Sequence, residues 1–136
     1  MTVSEKVAKI LLDVNAVTLN AKKPFRYTSG MLSPIYTDCR LIISLPKERK
    51  EIIEYYLDAI KNTKITVDVI AGTATAGIPW ASWIAESLNL PMVYVRGNKK
   101  NHGKGNQIEG VLKTDMKAIV IEDLISTAKS SSSTVE

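Results

Sequence analysis

Apolar positions near the start of the chain recur with the period of a helix. Val7, Ile10, Leu11 and Val14 stand at i, i+3, i+4 and i+7, and Thr2 with Glu5 just ahead has capping-box spacing. A second helix is expected from Pro46, which suits a first turn, to about Lys61, with Ile52, Ile53, Tyr56, Leu57 and Ile60 as its apolar stripe. Between them, residues 25 to 38 read as short extended segments around a Ser29-Gly30 turn. The second half alternates. Val67 to Ala71, Pro91 to Arg96 and Ala118 to Ile121 are short apolar runs, the last entered from a Thr114-Asp115 turn, and Ile78 to Leu88 has a helical pattern. Buried strands separated by helices imply parallel pairing, βαβ units and an α/β domain. In such sheets ligands bind beyond the carboxyl ends of the strands, so the residues just after each run matter most. Ser130 to Ser133 stand where another helix would begin, either as its capped start or as a loose tail.

Composition narrows the class. With 136 residues, 45% hydrophobic and 24% charged, the chain is in the range of one globular domain with a real core. The single cysteine, Cys39, cannot form an internal disulfide, which suits a reducing cytoplasm. No apolar run approaches the roughly 20 residues that cross a bilayer. The net charge of +4 is unevenly placed: between Glu86 and Glu109 there is no acid, while Arg96, Lys99, Lys100 and Lys104 are all basic. That stretch is either a solvated loop or an anion-seeking one.

Four segments carry candidate chemistry. In Ala118 to Ser130 an apolar strand delivers Glu122 and Asp123 at its carboxyl end, and the small and hydroxylated residues Ser126 to Ser130 follow. Carboxylates accept hydrogen bonds from sugar hydroxyls, and loop amides at a helix start hold phosphate. The same residues also suit an acidic cap followed by a polar turn. The basic loop around Arg96, Lys100 and His102, with Gly97, Gly103 and Gly105, has the makings of a lid that brings positive charge to a leaving group. The small residues Gly72 to Gly77 make a tight strand-to-helix turn with exposed amides, a weak signal when taken alone. Phe25 to Asp38, with Ser-Gly and Ser-Pro turns and Tyr36, reads by itself as a hairpin-like connector.

In this order and with these residues, the segments resemble the type I phosphoribosyltransferases, and within them the orotate enzymes. Glu122-Asp123-Leu124-Ile125-Ser126-Thr127 is the most specific stretch. The resemblance implies a mainly parallel sheet flanked by helices with an N-terminal base-binding hood. It implies one domain over 1–136, with an N-terminal helix and orotate-binding segment in 1–40 and the core in 41–136. Members continue past this C-terminus with another strand and helix, which carry an arginine for the orotate carboxylate, so the core is expected to be incomplete there. Glu122 and Asp123 are implied to meet the ribose hydroxyls and, with Lys100, to form the catalytic set. Leu124 and Ile125 are implied to belong to the stretch that binds phosphoribosyl pyrophosphate, and Ser126, Thr127, Ala128, Lys129 and Ser130 to wrap its 5-phosphate, with Ser126 also touching orotate. Arg96, Lys100 and His102 would meet pyrophosphate, as would the loop Thr73, Ala74, Thr75, Ala76 and Gly77. Thr28, Tyr36 and Thr37 would meet orotate. The chain departs from the family where glycine is usual, at Ala128 and Lys129, and has Gly97 where many members have lysine.

The activity implied is transfer of a phosphoribosyl group from phosphoribosyl pyrophosphate to orotate, with Mg2+, in a cytoplasmic homodimer that shares its active sites. No nucleic acid or membrane partner is expected. The basic loop has no aromatic residue between Gly97 and Asn106, which argues against a stacking platform for single strands. A non-catalytic regulator of the same fold, binding phosphoribosyl pyrophosphate or a nucleotide, is the alternative.

Overall fold

The computed structural model of the chain describes residues 1–27, 29–97 and 107–135. It divides into two compact units, Met1–Ile52 and Ile53–Glu136. The boundary lies inside a helix.

The first unit opens with α1, Val3–Asp13, capped as its sequence requires: the Thr2 hydroxyl accepts from the Glu5 N–H, and the Glu5 carboxylate accepts from the Thr2 N–H at 2.7 Å. The extended segments are two antiparallel ribbons. Strand β1, Val17–Leu19, pairs with β4, Ile35–Thr37, and β2, Phe25–Arg26, pairs with β3, Leu32–Ser33. Gly30 takes φ +86° in the turn between β2 and β3, a conformation that a side chain would strain. The rings of Phe25 and Tyr36 lie 5.4 Å apart, and the Tyr27 hydroxyl donates to the Ile35 carbonyl, joining the two ribbons. β1 was not expected, because an isolated run of three residues carries no periodic signal. A 3-10 segment, Cys39–Ser44, follows, started by the Asp38 carboxylate accepting from the Arg40 N–H. The unit ends in the first turns of α2, Pro46–Asn62.

The second unit holds a four-stranded sheet in the order β7-β6-β5-β8. β5, Val69–Thr73, runs parallel to both β6, Met92–Val95, and β8, Ala118–Ile121, while the short edge strand β7, Ile108–Glu109, is antiparallel to β6. The α/β class expected from the alternation is what forms, and β7 was not announced by the pattern. β5 is the centre and is buried along its whole length. On one face Val69 and Ala71 pack with Val93, Met116 and Val120. On the other lies α3, Gly77–Leu88, which buries Trp80, Ala81, Ile84 and Ala85. The expected strand 67–71 runs two residues later than its apolar content suggested, because Thr73 is buried in the ladder with its hydroxyl 3.2 Å from that of Thr134. The serine cluster is helical, within α4, Lys129–Val135.

Glycine is required where the helix start meets the sheet. A Cβ on Gly77 would sit 2.5 Å from the Ile121 carbonyl oxygen, and one on Gly72 would sit 2.9 Å from the Ala81 Cβ. Both obstacles belong to the packed sheet and helix, so neither can simply swing aside. Gly77→Ala is therefore expected to destabilise the fold by about 2 kcal/mol through forced separation of α3 from β8. Urea unfolding followed by circular dichroism measures it, and an unchanged midpoint would contradict the close approach.

Candidate functional site

The parallel strands end at one edge of the sheet. The register pairs Thr73 with Val95 and Gly72 with Ile121, so the residues leaving β5, β6 and β8 emerge side by side. These are Ala74 to Ala76, Arg96, and Glu122 with Asp123. The turn after β5 is anchored by the Ala74 N–H donating to the Val95 carbonyl at 2.9 Å. The residue after β6 is anchored by the Arg96 N–H donating to the Gln107 carbonyl at 2.9 Å. The Gly77 approach brings the start of α3 against the backbone of Ile121 and Glu122. Two of the expected loops, the small-residue turn and the carboxylate segment, are thus direct neighbours.

Within the expected pyrophosphate loop the roles divide. Thr73 closes β5, and its side chain is engaged with Thr134. Gly77 opens α3. Ala74, Thr75 and Ala76 form the turn proper; the Ala74 N–H is taken by Val95, which leaves the Thr75 and Ala76 amides and the Thr75 hydroxyl as the donors there.

Glu122 is held at several points. One carboxylate oxygen accepts from the Ser130 hydroxyl at 2.9 Å and the other from the Asp123 N–H at 3.3 Å, while its carbonyl accepts from the Tyr56 hydroxyl at 2.9 Å. Ser130 thereby closes the loop of Leu124 to Lys129 into a ring. Desolvation by burial raises the Glu122 carboxyl above the usual range; the Ser130 hydrogen bond opposes this, and the adjacent Asp123 carboxyl adds to it. A pair of carboxylates kept close in a half-buried setting costs stability when both are ionised, and such clusters are characteristic of ligand sites. Leu124 and Ile125 are exposed at 50% and 63%, side chains turned away from any core. Ser126, Thr127 and Lys129 are also exposed.

Ala128 adopts φ +57°. The left-handed conformation costs a residue with a Cβ about 1–2 kcal/mol, which explains why glycine is the usual choice in a turn of this shape. The chain keeps the backbone path with alanine in it.

Arg96 is half-buried and faces Glu109 on β7, its Nε 2.9 Å from a carboxylate oxygen. Among the described residues the same Nε has no partner that meets hydrogen-bond geometry. The two observations agree if the contact is an ion pair whose N–H points off the line between the atoms. Glu109 was not anticipated as a site neighbour; its only signal was being the first acid after the acid-free stretch. Tyr56 was read only as part of an apolar stripe, although a partly buried tyrosine usually finds a partner for its hydroxyl.

Tyr36 and Thr37 belong to the first unit, on β4. Nearby, the Arg40 guanidinium hydrogen-bonds Asp38 and holds that carboxyl below its ordinary range, and it also reaches the Tyr36 hydroxyl at 3.4 Å. Thr28, Lys100 and His102 lie outside the described residues. Among the described residues, no group of three or more His, Cys, Asp and Glu could hold a metal ion, and no helix is long and apolar enough to cross a membrane.

A family model described as the phosphoribosyl transferase domain matches residues 42–136. The chain is 57% identical over 130 residues to the orotate phosphoribosyltransferase of Coxiella burnetii, covering 96% of this chain and 62% of that protein. It is 52% identical over 136 residues to the orotate phosphoribosyltransferase of Listeria monocytogenes, covering 100% of this chain and 65% of that one. Among solved structures, orotate phosphoribosyltransferase from Aeropyrum pernix superimposes with a TM-score of 0.78 at 29% identity, over 95% of this chain and 71% of that one. The chain thus spans somewhat under two thirds of the length of the curated relatives it matches. With the carboxylate pair, the small-residue turn and the parallel sheet inside the matched region, the chain belongs to the phosphoribosyl transferase domain family.

Proposed function

We propose that the protein is an orotate phosphoribosyltransferase, transferring the phosphoribosyl group of phosphoribosyl pyrophosphate to orotate in pyrimidine biosynthesis. The observation that carries this reading is the convergence, at one sheet edge, of the Glu122-Asp123 pair, the hydroxyl-rich turn after it and the Ala74 to Ala76 turn. The relatives named for this activity match nearly the whole chain.

In the reaction the bond from the ribose anomeric carbon to a pyrophosphate oxygen breaks, and pyrophosphate leaves with the electron pair. The bond from that carbon to a pyrimidine ring nitrogen forms, and the nitrogen gives up its proton. Positive charge gathers on the ribose in the transition state. Residues that bind the two ends of the donor contribute chiefly by positioning and charge stabilisation. Asp123 and Glu122 accept from the ribose hydroxyls. The backbone of Ser126 to Ser130 meets the 5-phosphate, and the Ala74 to Ala76 turn, through the Thr75 and Ala76 amides, meets the pyrophosphate with Arg96. Lys100 and His102 follow Arg96 in the basic loop and serve the same leaving group. Tyr36 and Thr37, with Thr28, take the pyrimidine.

The donor set suits Mg2+ carried in on the substrate. Two adjacent carboxylates, with no third His, Cys, Asp or Glu grouped with them among the described residues, suit an ion that keeps most of its shell as water and phosphate oxygen. Bound there, the ion would neutralise charge on the pyrophosphate. A homodimer in the cytoplasm, with the basic loop of one subunit serving the other's site, completes the reading.

Three outcomes test it. Phosphoribosyl pyrophosphate with Mg2+ should raise the melting temperature, since a ligand that binds only the folded chain stabilises it by mass action. If neither calorimetry nor thermal shift responds at millimolar ligand, the phosphate site is misassigned. Asp123→Asn should weaken that binding by about tenfold or more, the loss expected for a charge-assisted hydrogen bond, and leave stability nearly unchanged. Equal affinities in titration calorimetry would move the ribose site elsewhere. In a form extended to the relatives' length, Lys100→Ala should lower kcat by about 100-fold while the melting temperature holds, as for removal of a group that stabilises transition-state charge. Full turnover would remove Lys100 from the mechanism.

A further inference from the structure

We propose that Tyr56 is a positioning residue for the donor site: its hydroxyl, by holding the Glu122 carbonyl, sets the direction in which the Asp123 carboxylate is presented to the ribose. The inference rests on the reading of the carboxylate pair as the ribose-binding group.

The argument begins with the peptide unit between Glu122 and Asp123. That unit is rigid and planar, so its orientation is governed by ψ of Glu122 and φ of Asp123 together. Its oxygen accepts from the Tyr56 hydroxyl at 2.9 Å, and its N–H donates to the Glu122 carboxylate at 3.3 Å. Both ends of the peptide dipole are therefore engaged, the shorter contact being the one to Tyr56. Rotation of the plane would swing the bond from the Asp123 Cα to its Cβ and carry the carboxylate with it. The Glu122 end of the restraint is itself pinned, because the second carboxylate oxygen is taken by Ser130.

Tyr56 is well placed to act as a fixed point. It stands on α2 between the buried residues Ile53 and Leu57. Its ring lies 6.1 Å from that of Trp80, which is 2% exposed and meets Trp83 edge-on at 5.7 Å. Trp80 is on α3, whose first residue packs against Ile121. The strand end is thus gripped from two helices: by contact at Gly77 and by a directed hydrogen bond at Tyr56. Contact limits how near the backbone comes, and only the hydrogen bond fixes its rotation.

The test uses the chain as it stands, with phosphoribosyl pyrophosphate and Mg2+ as the probe in titration calorimetry. Tyr56→Phe removes the hydroxyl and keeps the ring on Trp80. The affinity should fall about fivefold, the scale of one neutral hydrogen bond. Thr63→Ala removes a comparable hydroxyl from the far end of α2, where it donates to the Ile60 carbonyl at 2.7 Å. It should lower the melting temperature without changing affinity. Because Tyr56 acts through Asp123, Tyr56→Phe added to Asp123→Asn should cost little more than Asp123→Asn alone, the non-additivity expected of coupled residues. Overturning results are an unchanged affinity in Tyr56→Phe with only a loss of melting temperature, or fully additive losses in the double variant. If the unaltered chain itself takes up none of the probe, the donor-site reading falls, and this inference falls with it; if the unaltered chain binds and Tyr56→Phe binds equally well, this inference falls alone.

Discussion

Everything at the candidate site depends on how closely the first turn of α3 approaches the end of β8. A helix that follows a central strand must turn back over the sheet, and here it does so with a glycine at its first position, against the Ile121 carbonyl. That approach makes two segments separated by more than forty residues of sequence into neighbours. One presents free backbone amides and the other presents carboxylates. The sheet supplies the frame: with β5 buried on both faces, its register to β6 and β8 leaves no freedom in where the three strands end.

Against that fixed edge, the polar network around Glu122 is organised by hydrogen bonds of opposite reach. Ser130 is a local partner that closes a loop, and Tyr56 is a distant partner that ties the loop to a helix. Loss of water at Glu122 raises its carboxyl, and the Ser130 hydroxyl and the Asp123 N–H, which donate to the carboxylate itself, oppose that rise. Removing a donor from such a network exposes the full cost of burying its acceptor.

The legible parts of the chain were those set by local physics. The capping box of α1, the apolar runs of β6 and β8, the helical spacing of α3 and the carboxylate pair at a strand end all follow from residues close in sequence. At position 128, where the family usually has glycine, the alanine takes a left-handed conformation. What escaped was set by partners far away. Thr73 looked like a loop residue, yet it is in the strand because Thr134, brought in by α4, satisfies its hydroxyl. β7 has only two residues and exists because β6 offers an edge to pair with. Tyr56 carried only an ordinary helix signal and Glu109 only its place after an acid-free stretch, and their meaning comes from the backbone and the arginine they face.

The Arg96-Glu109 pair gives this edge of the site a built-in counter-charge. An anion arriving at Arg96 meets a guanidinium already partly neutralised, with a carboxylate close enough to repel the newcomer. Arginine has five N–H donors, so it can serve both, but the attraction left over for the second anion grows with that anion's own charge. A weakly charged solute gains little from displacing or sharing Glu109, and a multiply charged one gains much. Selectivity for highly charged ligands can arise in this way from an acid placed beside a base, with no further positive residue, and it weakens as added salt screens both charges.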